Sequence, residues 1–129
     1  MRSVGVALIF NKQMKILIGR RASNVPYTGS WEFPGGKLEQ GETPQEALER
    51  ELMEELNVKS TVNEFFSEII YTYPSGKFKL LTYFTDIDTS TLELRVHDKI
   101  EWVHLKDLHK YKLLPSGMLM VNKLLEHFD

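Results

Sequence analysis

The segment from Thr43 to Val58 carries its own instructions for a helix and so fixes the middle of the fold. Thr43 suits an N-cap, and Pro44 fits the first helical position, where its missing N–H is no loss. Glu46, three residues after Thr43, completes a capping box. No breaker interrupts Gln45 to Leu56, and Asn57 suits a left-handed C-cap.

β-rich runs surround this helix. Ser3 to Phe10 is apolar and extended in character, Asn11-Lys12-Gln13 reads as a turn, and Lys15 to Gly19 resumes the pattern, so these runs are expected to pair as a hairpin. Arg20 to Ser30 is a polar loop, long enough to suggest function. Thr61 to Tyr73 and Lys77 to Asp86 flank Tyr-Pro-Ser-Gly and should form a long hairpin. Ile87 to Lys99 has no assignable pattern. Ile100 to Leu105 alternates like a strand, and Lys106 to Tyr111 reads as a short helical turn. Ser116 to Phe128, with Leu119, Met120, Leu124 and Phe128, suits an amphipathic helix. The expected class is α/β in the α+β sense: a mixed β-sheet sandwiched between helices, as one domain over residues 1–129.

Composition removes several function classes. With a net charge of −2 the chain lacks the basic field of a general nucleic-acid binder. It has no cysteine, which excludes disulfides, thiolate metal sites and a cysteine nucleophile, and fits a reducing compartment. No apolar run approaches the roughly 18 residues of a membrane span. The expectation is a cytoplasmic protein with no membrane partner, monomeric or homodimeric.

The helix concentrates negative charge. At about 100° per residue, Glu51, Glu54 and Glu55 share one face within an arc of about 100°. Leu48, Leu52 and Leu56 form an adjacent apolar stripe for packing on the sheet. A solvated acidic face is the plain alternative. Against it, like charges one turn apart destabilise a helix, and anions in the last turn oppose the helix dipole. A hard divalent cation reverses both effects. Mg²⁺ prefers oxygen ligands and commonly meets phosphate oxygens, with Mn²⁺ as a substitute.

Gly36, five residues, Glu42, seven residues and then Arg50-Glu51-Leu52-Met53-Glu54-Glu55 resembles the Nudix box, with Asn57 in place of its final glycine and Val58 as expected. Arg20-Arg21, Trp31-Glu32-Phe33-Pro34-Gly35-Gly36, Glu101-Trp102 and Leu114-Pro115-Ser116 extend the likeness to the MutT-type branch. The resemblance implies the Nudix fold and Mg²⁺-dependent hydrolysis of a nucleoside triphosphate, canonical or oxidised such as 8-oxo-dGTP, to monophosphate and pyrophosphate. It implies metal binding by Glu51, Glu54, Glu55 and Glu101 with the Gly35 carbonyl. Gly36, Glu42 and Arg50 would be structural, and Arg21 and Phe33 would lie near the nucleotide. Apart from the resemblance, Lys37 follows the glycines and reads equally as a phosphate contact or a solvated lysine. Gly117 stands where that branch usually carries an Asn or Asp that reads the purine.

Water is expected to attack a bridging diphosphate, with Glu51 as first choice of base and Glu101 as second, and with Glu54 in the same catalytic group. Alternatives are a Nudix hydrolase for another nucleoside diphosphate derivative (the 5′ end of triphosphorylated RNA, a nucleotide sugar, a dinucleoside polyphosphate) or a non-catalytic nucleotide-binding module. Trp31 and the tyrosines Tyr71, Tyr73 and Tyr83 read as packing residues, and His97, His104, His109 and His127 show no metal-ligand spacing.

Overall fold

A computed structural model describes residues 1–128; Asp129 lies outside the described residues. Seven strands and two α-helices follow the order β1 (Arg2–Leu8), β2 (Lys15–Arg21), β3 (Trp31–Glu32), β4 (Gly35–Lys37), α1 (Pro44–Leu56), β5 (Ser60–Tyr73), β6 (Gly76–Ile87), β7 (His97–His104) and α2 (Pro115–His127). Short 3₁₀ turns at Thr89–Thr91 and Leu105–Lys110 flank β7.

Two sheets form, in the orders β4-β1-β6-β5 and β3-β2-β7. The β1–β6 pair is parallel and the other pairs are antiparallel, so the architecture is mixed. Alternation along the central strands explains how two helices share one sheet layer. Val6, Leu8, Ile16 and Ile18 join Met120, Val121 and Leu124 of α2 in one apolar cluster. Ala7, Ile9 and Leu17, pointing the other way, join Leu48, Leu52 and Leu56 of α1 in a second. The sheets are thus held between α1 and α2, as the sequence indicated.

The expected hairpin of the first two strands does not form as a ladder. β1 has both edges occupied, by β4 and β6, so β2 turns away into the other sheet. Only a corner remains: a bridge between Phe10 and Ile16, with the Leu17 N–H donating to the Ile9 carbonyl at 2.9 Å. Asn11 Oδ1 holds that corner by accepting from the N–H groups of Gln13 and Lys15.

The ends of α1 follow the sequence signals. Thr43 Oγ1 accepts from the Glu46 N–H at 3.1 Å, and the Glu46 carboxylate accepts from the Thr43 N–H at 2.9 Å. Asn57 takes the left-handed conformation, with φ 55° and ψ 42°. The unassigned segment after Ile87 folds back over this end of the helix. There the N–H groups of Glu93 and Arg95 donate to the carbonyls of Leu56 and Glu55. That strap meets the orphan carbonyls of the last turn and fixes the backbone that carries Glu55.

Candidate active site

Arg50 ties α1 to the loop that precedes it. Its Nε donates to Glu42 Oε2 at 2.7 Å and its Nη2 to Glu42 Oε1 at 2.9 Å, a two-pronged pair. Nη2 also reaches the Lys37 carbonyl at 3.1 Å, while Nη1 meets Glu51 Oε1 at 2.9 Å and Glu54 Oε2 at 3.3 Å. These bonds to Arg50, with the Glu39 backbone N–H adding to them, hold the Glu42 carboxyl down to about 2. Hydrogen bonding to Glu42, and after it to Glu51, pushes the Arg50 guanidinium above even its ordinary high value.

Two glycines let the carboxylates approach the backbone. A side chain on Gly36 would put its Cβ within 2.6 Å of both Glu51 carboxylate oxygens, so only glycine leaves them room. Gly35 has φ 149° and lies against the Gly5 carbonyl, where a Cβ would collide.

Glu55 is the buried member of the cluster, 6% exposed. Burial pushes its carboxyl well above the ordinary value, and the negative charges of Glu32 and Glu51 push it further; the Gly35 backbone opposes them. Its Oε2 is buried without a hydrogen-bond partner. Glu54 sits at the rim, its side chain 59% exposed and held by Arg50. Crowded carboxylates, one of them buried with an unpartnered oxygen, suit a divalent cation with oxygen preference.

Glu51 and Glu55 form part of the wall of a cavity of about 550 Å³. Gly35, Gly36, Glu32, Arg21 and Lys37 continue the polar side. Phe33, Phe78, Leu80 and Met120 supply apolar lining, joined by Tyr73, Leu114, Ser116 and Gly117. Lys37 Nζ lies 5.5 Å from the centre of the Phe78 ring. Tyr73 packs edge-on against Tyr71 and Phe78, as read from the sequence, and also lines the cavity, where its hydroxyl donates to Ser116 Oγ at 2.6 Å.

Glu101 is not brought to this group, and the reason is strand register. Glu101 pairs with Ile18, whereas Gly19, one residue on, pairs with Glu32 on β3. Successive residues of a strand face opposite sides. Glu32 therefore faces the α1 side and Glu101 the α2 side. There Glu101 accepts from the Tyr111 hydroxyl and pairs with Lys99 Nζ at 3.0 Å. Its carboxyl is held below the ordinary value, first by Tyr111 and then by Lys99. In this geometry Glu101, expected as a metal ligand or base, stands apart from Glu51, Glu54 and Glu55.

Two residues given no role from the sequence occupy the site instead. Glu32 Oε1 accepts from Arg21 Nη1 at 2.8 Å, and Glu32 Oε2 lies 2.8 Å from His97 Nε2. His97 is fully buried at its side chain and lies 3.9 Å from Glu55 Oε1. No signal was available for Glu32, because β3 is two residues long and carries no periodicity. For His97 there was none, because it precedes the recognisable part of β7.

A mixed sheet between two helices gathers carboxylates beside an amphipathic cavity. Residues 1–122 match the family model described as the NUDIX domain, and the chain belongs to that family. It is 32% identical to a CTP pyrophosphohydrolase of Escherichia coli over 88% of this chain and 84% of that protein. It is 30% identical to an 8-oxo-dGTP diphosphatase of the same organism, over 94% of each chain. The solution structure of the E. coli ORF135 protein superposes with a TM-score of 0.86 at 29% identity, covering 98% of this chain and 89% of that one. Enzymes of this family use a divalent metal. Among the described residues, Glu32, Glu55 and His97 form an acidic–histidine group with ligand atoms all within 4.8 Å of one another. No helix among the described residues is long and apolar enough to cross a membrane.

Proposed function

We propose that this protein, as one Nudix domain over residues 1–129, hydrolyses a nucleoside triphosphate to monophosphate and pyrophosphate with Mg²⁺ as cofactor. The observation that carries the reading is the cavity itself: buried carboxylates on one side and aromatic and aliphatic side chains on the other. A charged polyphosphate joined to an apolar heterocycle has the same division. The relatives named for CTP and for 8-oxo-dGTP support a small nucleotide as substrate. Such a substrate and a chain without cysteine suit a cytoplasmic setting.

Glu51, Glu54 and Glu55 would hold the cation with the Gly35 carbonyl. When bound, it neutralises phosphate oxygens and lowers the pKa of a coordinated water. Arg50 keeps Glu51 and Glu54 aimed by hydrogen bonds to both. Glu51 takes the proton of the attacking water; its carboxylate lies against Gly36, at the cavity wall. Lys37 and Arg21 meet the phosphates, and Phe33 offers an apolar face to the base. Gly117 supplies no side-chain amide to a purine; the hydrogen-bonded hydroxyls of Tyr73 and Ser116 line the same cavity.

A hydrolysis screen with Mg²⁺ tests this reading. It spans canonical and oxidised (deoxy)nucleoside triphosphates, nucleotide sugars, dinucleoside polyphosphates and triphosphorylated RNA. Turnover of a triphosphate, lost in Glu55→Gln, is the expected result. Turnover confined to the other substrates moves the enzyme to another branch of the family, and no turnover of any of them contradicts catalysis.

A further inference from the structure

Glu32, Glu55 and His97 come from three separate elements, β3, α1 and β7, and meet behind the cavity wall to which Glu32 and Glu55 contribute. Their approach is built into the fold. Gly19 lies under the imidazole, where a Cβ would come within 2.7 Å of the ring carbons. Arg21 grips one oxygen of Glu32 and turns the other toward His97. A purely structural hydrogen bond between His97 and Glu32 explains one contact of the group. It leaves Glu55 Oε2 buried with no partner. Arg21 meets Glu32 and Arg50 meets Glu51, but neither guanidinium hydrogen-bonds Glu55.

The donor set has a definite chemical preference. Carboxylates alone favour Mg²⁺, whereas an imidazole nitrogen favours first-row transition cations. We propose that Glu32, Glu55 and His97 form a mixed oxygen–nitrogen site for a divalent transition cation, sharing Glu55 with the box carboxylates. The proposal rests on the reading of the box as a cation site, and it adds a nitrogen ligand and a second carboxylate from outside the box. Coordination through Nε2 transfers the ring proton to Nδ1, which lacks an acceptor. That cost weakens the site without changing which class of cation it prefers. Arg21 serves the role often filled by outer hydrogen bonds in metal centres, by orienting Glu32.

Pulsed EPR of the full chain with Mn²⁺ alone tests the assignment without reference to hydrolysis. Wild type is expected to show coupling of the bound Mn²⁺ to an imidazole nitrogen. His97→Gln should abolish that coupling and weaken Mn²⁺ binding about tenfold or more, whereas Glu54→Gln should keep the coupling. Mn²⁺ bound without nitrogen coupling in wild type, coupling that survives His97→Gln, or no bound Mn²⁺ each overturns the proposal. The wild-type spectrum decides even where His97→Gln fails to fold. Nitrogen coupling in a protein that hydrolyses no triphosphate would sink the proposed reaction and leave this site standing. Triphosphate hydrolysis with no nitrogen coupling would do the reverse.

Discussion

Arg50 and Glu42, eight residues apart, face each other as a two-pronged ion pair, with Arg50 Nε 2.7 Å from one carboxylate oxygen and Nη2 2.9 Å from the other. The same guanidinium reaches forward to Glu51 and Glu54. One cation therefore anchors the loop before α1 and aims carboxylates on the helix. Arg50→Gln is expected to lower stability by about 1–3 kcal/mol, because hydrogen-bonded carboxylates lose their shared partner. Urea unfolding reads that loss, and a parallel drop in kcat reports the lost aim.

The Glu42 carboxyl gives this pair a pH signature. Its folded-state value lies at about 2 against an ordinary 4.5. A depressed carboxyl contributes stability that is fully present above the unfolded value and lost as pH falls through the folded one. The stability difference between wild type and Glu42→Gln is therefore expected to be constant above about pH 5 and to shrink as pH falls toward 2. Denaturant titrations across that range check it; a difference that grows on acidification contradicts it.

Gly36 separates positioning from folding. Its missing side chain lets the Glu51 carboxylate lie against the backbone. Gly36→Ala should displace that carboxylate and cost about 10²-fold in kcat, the scale of a misplacement near 1 Å. Circular dichroism should show the fold retained.

The two candidate bases are distinguished by the sheet. Glu51→Gln is expected to lower kcat by roughly 10²–10⁴-fold. Glu101→Gln, on the α2 side with Tyr111 and Lys99, should raise the barrier by less than about 1 kcal/mol. Steady-state kinetics on the two variants settle the assignment, and comparable losses in both would contradict it.

Much of this was legible in the sequence wherever a local rule sufficed. Thr43, Glu46 and Asn57 defined α1 because caps are written in neighbouring residues, and the box set Glu51, Glu54, Glu55 and Arg50 on one stretch of chain. The strands β3 and β4 escaped because two or three residues carry no periodicity. The split of β1 and β2 between sheets escaped because apolar strands buried on both faces do not reveal their partners. The facing of Glu101 was not legible, because it depends on register and a one-residue step in a strand reverses a side chain. His97 became visible only when the fold carried it beside Glu32 and Glu55.

The central claim is tested most directly by running the reaction in ¹⁸O-labelled water with Mg²⁺ and identifying the products of the preferred triphosphate. The account expects nucleoside monophosphate and pyrophosphate, with the label in one of them and turnover lost on removal of the cation. Release of orthophosphate and nucleoside diphosphate, or turnover indifferent to the cation, would contradict it.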